Sequence, residues 1–118
     1  ADLAGEIAAT RISPPERTAD WPAVSSAPDG TLWATYIEWD GDQSDRVIAR
    51  KRADDTWSAP IAIDDGHWDH YIPSIAALPG GAVVAWSAQV DGNYELFAAR
   101  CPSPKLRSRV DSAACDDR

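Results

Sequence analysis

The sequence predicts an all-β fold with almost no helix, and three observations lead there. A long segment of the chain repeats itself, with residues 22–41 (PAVSSAPDGTLWATYIEWDG) aligning on 73–92 (PSIAALPGGAVVAWSAQVDG) at an offset of 51 residues. Within each copy apolar and polar residues alternate, so that Trp33, Thr35, Ile37 and Trp39 share one face of an extended strand. Turn-forming pairs stand between the alternating runs, and no stretch sustains a 3.6-residue apolar period. The composition agrees: nine prolines and seven glycines require many turns, and six tryptophans against one phenylalanine favour strands over a helical bundle.

The elements follow in order. In the repeat, Pro22, Pro28, Gly30, Ala34, Asp40 and Gly41 meet Pro73, Pro79, Gly81, Ala85, Asp91 and Gly92, and Val24 and Leu32 meet Ile75 and Val83. One residue is then lost, and DRVIAR (45–50) meets ELFAAR (95–100). Upstream, Ile12 meets Ile63. Each unit reads as four short strands. The first, around Ala23 to Ala27, ends at a Pro-Asp-Gly turn, where Pro presets φ and Gly supplies φ > 0. The second is Thr31 to Trp39, with Val84, Trp86, Ala88 and Val90 as the matching face in the second unit. Asp40-Gly41 and Asp91-Gly92 then signal hairpins. The third strand is Arg46 to Arg50, or Glu95 to Arg100, and the fourth is Trp57 to Ile63, or Lys105 to Val110.

Four antiparallel strands in a repeat of this length are the signature of a β-propeller blade. The order of Trp21 to Val24, Pro28 to Trp33, Trp57 to Ile61 and Asp91 to Arg100 resembles bacterial propeller repeats of the TolB-like and sialidase-like (BNR) kind, over about residues 3–110. The resemblance implies two blades, 13–63 and 64–110, in a single domain spanning 1–118, with a C-terminal tail from 111. Two blades do not close a ring, and alone they leave open edges and two apolar faces. We expect completion by copies of the chain, three of them giving a six-bladed ring, or by the rest of a longer propeller chain. Residues 1–12 read as an outer strand completing a blade elsewhere, since GEIAATRI (5–12) aligns with SAPIAI (58–63). A self-contained β-sandwich is the competing architecture.

The formal net charge of −8 excludes nucleic acid as a natural partner and weakens any case for an anionic membrane surface. No apolar run approaches the roughly 18 to 20 residues of a membrane helix. The start, ADLAGEIAAT, carries no visible signal peptide, although one removed earlier would leave no trace. Cys101 and Cys115 either pair, closing a short loop with about 3 kcal/mol of chain-entropy stabilisation, or remain thiols in a reducing compartment. The setting expected is extracytoplasmic, periplasmic or secreted.

In a blade the connections between strands divide between two rims, and one rim gathers the acids. It receives Asp40, Asp42, Asp64, Asp65, Asp69 and Asp91, with Asn93 and both histidines, His67 and His70. The opposite rim receives Lys51, Arg52 and Lys105. Carboxylate acceptors beside Trp68, Tyr71, Trp21 or Trp39 suit a glycan or peptide ligand. Trp33, Trp39 and Trp86, at strand spacing, are better read as packing. The stretch DDGHWDH (64–70) has metal-ligand residue types, but a pair of histidines three apart in a loop lacks the helix that usually fixes both rings, so we assign no metal there. DGDQSD (40–45) has oxygen ligands at a partly calcium-like spacing without the Gly and Glu of an EF-hand, which makes Ca²⁺ the one cation worth testing and leaves no cofactor assigned.

Hydrolysis has little support. The sialidase-type Asp-box is echoed by SAPDGTLW (26–33) with the wrong spacing, and no catalytic residue is assigned. The function expected is a non-catalytic ligand-binding or assembly module, glycan-binding through an acidic, Trp-containing rim. The alternative is part of a larger sialidase-like or TolB-like propeller protein with a hydrolase or scaffold function.

Overall fold

Alternation and turn chemistry produce the fold class expected of them. The computed structural model describes residues 9–40, 43–64 and 69–102, and these are all-β, in two antiparallel sheets with no helix. The first sheet is a meander of β1 (Thr18–Ser26), β2 (Leu32–Asp40) and β3 (Gln43–Ala53). The far edge of β3 carries both β4 (Thr56–Trp57) and β5 (Ile61–Asp64). The predicted fourth strand is therefore broken in two around Pro60, a residue that cannot donate to a ladder. The second sheet is β6 (Asp69–Leu78), β7 (Gly81–Val90) and β8 (Asn93–Cys101). The strand expected over Lys105 to Val110, and the tail from 111, lie outside the described residues. Among the described residues neither sheet closes on itself.

The repeat extends to the backbone. Trp21 and Ile72 both precede a proline, both have positive φ (57 and 48) and both sit where the ladder slips by one residue. Positive φ at a bulky or β-branched residue is uncommon, so the shared bulge is a feature of the unit and not an accident of one copy.

Along the second strand the sequence alignment requires a correction. It pairs Gly30 with Gly81, but the glycine in the turn conformation is Gly80 (φ +83), the counterpart of Gly30 (φ +95). The first unit turns through Ala27 to Thr31, closed by Gly30 N–H donating to Ala27 O at 2.9 Å. The second turns in the two residues Pro79 and Gly80, because Leu78 already pairs with Gly81. The shorter turn moves β7 by one residue against β2. Tyr36 therefore corresponds to Trp86, Glu38 to Ala88, and Trp33 to Val83. A one-residue slip exchanges the faces of a strand. Continuing the ladders, Val47, Ala49 and Lys51 correspond to Leu96, Ala98 and Arg100.

With that register the packing has a direction. His70 meets Asp64 beside Val47, and Ala77 N–H donates to Ser25 Oγ (2.9 Å) beside Trp33, so β6 crosses the first sheet in the same sense as β1. Ile37 and Val47 of the first sheet share a core with Val84, Trp86 and Ala88 of the second, and Trp33 and Ala49 share another with Ala82 and Cys101. The front of the first unit thus lies on the back of the second, the face that holds Tyr36 in the first. Equivalent faces do not meet. The arrangement is head-to-tail, and it leaves two end faces: the back of the first unit and the front of the second.

Cys101 is buried and disulfide-bonded; Cys115, its expected partner, lies outside the described residues. Of the outer strand expected over 1–12, residues 9–12 are described and belong to no strand. The Ile12 carbonyl instead accepts a hydrogen bond from Arg50 Nη1.

Two substitutions test this packing by chemical denaturation. Ile37→Ala removes a fully buried side chain from the shared core and should lower unfolding free energy by about 2–5 kcal/mol. Gly81→Ala would set a Cβ against the Cys101 carbonyl and the Pro102 ring, so it should cost about 2–3 kcal/mol. Were Gly81 a turn residue, as the uncorrected alignment has it, this clash would be absent.

Candidate functional site

The stretch from Asp64 to His70 is only partly a loop. Asp64 ends β5, Asp69 and His70 begin β6, and the residues between, including Asp65, His67 and Trp68, lie outside the described ones. His70 is 0% exposed. Its Nε2 lies 3.0 Å from Asp64 Oδ2, and the edge of its ring faces Trp86 with centroids 6.4 Å apart. His70, expected on a ligand-contacting rim, has its side chain inside the seam between the sheets. The cause is the alternation of β6, which turns His70, Ile75 and Ala77 toward the first sheet and Asp69 and Ser74 away. Asp64 is a third exposed, so the pair reaches from the core to the rim.

Asp69, Tyr71, Asp91 and Asn93 come to the same end of the second sheet. Asp69, Asp91 and Asn93 are exposed, and Asp91-Gly92 forms the expected two-residue hairpin turn with φ of 50 and 87. Tyr71 meets Tyr94 edge-on at 5.8 Å, and Tyr94 is 65% exposed. Tyr94 was not singled out by sequence. It pairs across strands with Gln89, itself opposite Asp69, a relation that only the ladder register discloses. Asp40 ends β2; its side chain, like all of Asp42, is outside the described residues.

Trp33 and Trp86 are buried and Trp39 packs against the core, as their strand spacing implied. Trp21 is exposed at its bulge. On the opposite rim Lys51 Nζ sits 5.7 Å from the Trp33 ring centroid and Arg52 pairs with Asp55 at 3.0 Å, so both cations have local partners. No group of three or more His, Cys, Asp or Glu side chains able to hold a metal occurs among the described residues.

The back of the first unit holds a polar cluster that sequence reasoning missed. Glu38 is 3% exposed and is gripped by Arg46 at 2.9 Å, with Arg17 at 3.8 Å. A Glu two residues from the end of an alternating strand reads as solvent-facing, and Arg17 and Arg46 are the partners that meet it in its buried place. Tyr36 lies next to it, buried, its hydroxyl close to Arg50 but in no hydrogen bond of good geometry among the described residues. Burial, then the Glu38 charge, raises the Tyr36 pKa above its ordinary 10.0, and Arg50 opposes the shift. Beside Tyr36 a groove of about 490 Å³ runs between residues 10–13 and Ala23, Val24 and Ala34.

No protein-family model and no curated protein matches this sequence.

Two measurements follow from this geometry. Because the folded Tyr36 holds its proton more tightly than the unfolded chain does, its contribution is intact below about pH 10 and is lost as pH rises through the raised folded value. Tyr36→Phe should flatten the fall in stability above pH 10. At pH 7 it should change stability by no more than about 1 kcal/mol, since the buried hydroxyl it removes makes no well-formed hydrogen bond among the described residues. For the seam, a double-mutant cycle of His70→Phe and Asp64→Asn should return a coupling of about 0.5–3 kcal/mol at neutral pH. A coupling near zero would mean that the pair does not tie the sheets together.

Proposed function

We propose that the two units are β-propeller-type blades and that the chain is a non-catalytic building block of a closed ring. The reading rests on one observation: the front of the first unit is buried on the back of the second, while each unit keeps one end face uncovered by the other. A head-to-tail contact can repeat, and repeated with a fixed rotation it closes a ring. Copies of the chain are the simplest source of further blades, and three copies give six. In that ring the segment 1–12 is read as an outer strand completing a blade of a neighbour. The exposed edge with Asp69, Asp91, Asn93 and the Tyr71–Tyr94 pair supports a ligand role for the rim, where carboxylates accept from sugar hydroxyls or a peptide and the aromatic rings offer a stacking plane. The reading includes no catalytic residue and no cofactor, and places the protein outside the cytoplasm.

Native mass is the direct test. Light scattering on the eluting peak should give about 38 kDa, three times the chain mass of 12.7 kDa. A monodisperse species at the mass of one chain would overturn ring formation by copies. Titration with simple sugars, followed by tryptophan fluorescence, tests the rim separately.

A further inference from the structure

We infer that the bare front of the second sheet docks at the groove on the back of the first sheet of a second copy, with the strip Val83, Leu96 and Ala98 seated against Val24 at the mouth of that groove. This rests on the assembly reading above and adds the surfaces that meet.

The argument is positional equivalence within one chain. Val47 and Ala49 lie on the front of the first sheet and are both fully buried, because the second sheet covers them. Their counterparts by ladder register are Leu96 and Ala98, on a face with nothing described over it, and Leu96 is 85% exposed. The flanking cation is kept as well, Lys51 becoming Arg100. A larger aliphatic group than the valine it replaces therefore stands in water at a position built for burial.

The receiving face shows the same mismatch. Ile75, on the back of the second sheet, packs into the shared core; its counterpart Val24, on the back of the first sheet, is 63% exposed. Tyr36, the counterpart of Trp86, is already buried within its own chain, so Val24 is the part of this face that stands open. The mouth of the groove of about 490 Å³, beside Val24, is thus the place that a preceding unit's front would cover. What covers the equivalent place inside the chain is known: an alternating strip of small and branched aliphatic side chains. The front of the second sheet of another copy presents such a strip. The nearby charges do not oppose the contact, because Glu38 is already satisfied by Arg46 and Arg50 is held by the Ile12 and Ser58 carbonyls.

Leu96→Asp and Val24→Asp test the two faces separately on the full chain. Both positions are exposed within one chain, so each variant should keep its far-UV strand signal, while its native mass falls from the oligomer to 12.7 kDa. Mixing a Leu96→Cys chain with a Val24→Cys chain under oxidation should yield a covalent heterodimer, whereas a Leu96→Cys chain mixed with Asp54→Cys, on the β3–β4 turn, should not. An oligomer that survives both aspartates, or cross-links Leu96→Cys equally well to Asp54→Cys, overturns these surfaces and leaves ring assembly standing by another contact. A wild-type chain that is monomeric at all concentrations overturns both.

Discussion

The seam in which Ile37 and Val47 meet Val84, Trp86 and Ala88 is the contact on which the rest of the structure depends. A three- or four-stranded meander has no interior of its own; it gains stability by covering an apolar face with another layer. Fully burying one such side chain stabilises by about 1.5–3 kcal/mol, so a seam of this kind is of the order of the whole stability of a small domain. Because the two layers are successive copies of one unit in the same orientation, the seam joins unlike faces. The direction of the whole chain follows from that. One face of each unit is used, and the unused ones point in opposite directions.

Polar groups are arranged around the same seam. His70 would be expensive in an apolar layer without a partner, and Asp64, delivered from the end of β5, supplies one at the edge where it can still reach water. The two ends of β6 are tied by side chains of the other sheet, His70 to Asp64 and the Ala77 amide to Ser25, while the apolar residues between them pack without direction. Hydrophobic contact is non-directional and hydrogen bonds are not, so these two bonds select the angle and register at which the sheets sit. Glu38 is treated differently. Buried at an end face, it is met by arginines from β3 and from the chain before β1, so the carboxylate keeps charged partners in its buried place.

Much of this was legible in the sequence, and the failures have a common cause. Alternation disclosed the strands and Asp91-Gly92 disclosed its hairpin, whereas the bulge beside Pro22 and Pro73 that both units share came only from the backbone. The alignment erred at Gly30 because identity favoured Gly81, while the backbone needed its positive φ at Gly80. A single residue in a turn then decides which face of β7 is the inner one. The same kind of error put His70 on the rim. Its neighbours Asp69 and Tyr71 do lie toward the exposed side, and a period of two sends the residue between them inward. Glu38 escaped notice because Arg17, one of its partners, comes from a segment without regular structure, which no periodicity announces. Sequence patterns report the faces of strands well; they report what lies across a face only when that layer repeats too.

The two end faces are not equally finished, and the difference bears on how such a chain avoids aggregation. An open, flat, apolar sheet face invites non-specific association. On the back of the first unit Ala88 and Ala99 of the second are replaced by Glu38 and Arg50, and both are tied down by partners from within the chain. The apolar part that remains there is narrow, a groove bounded by Val24 and Tyr36. On the front of the second unit the surface is smaller in side chain but barer, with Leu96 standing out. A narrow groove with charged, satisfied borders accepts only a strip of matching width in one orientation, and it resists broad hydrophobic contact. Selectivity therefore resides on the back face and driving force on the front. A self-limiting head-to-tail contact needs that division, because two faces that were both broad and apolar would stack without regard to register.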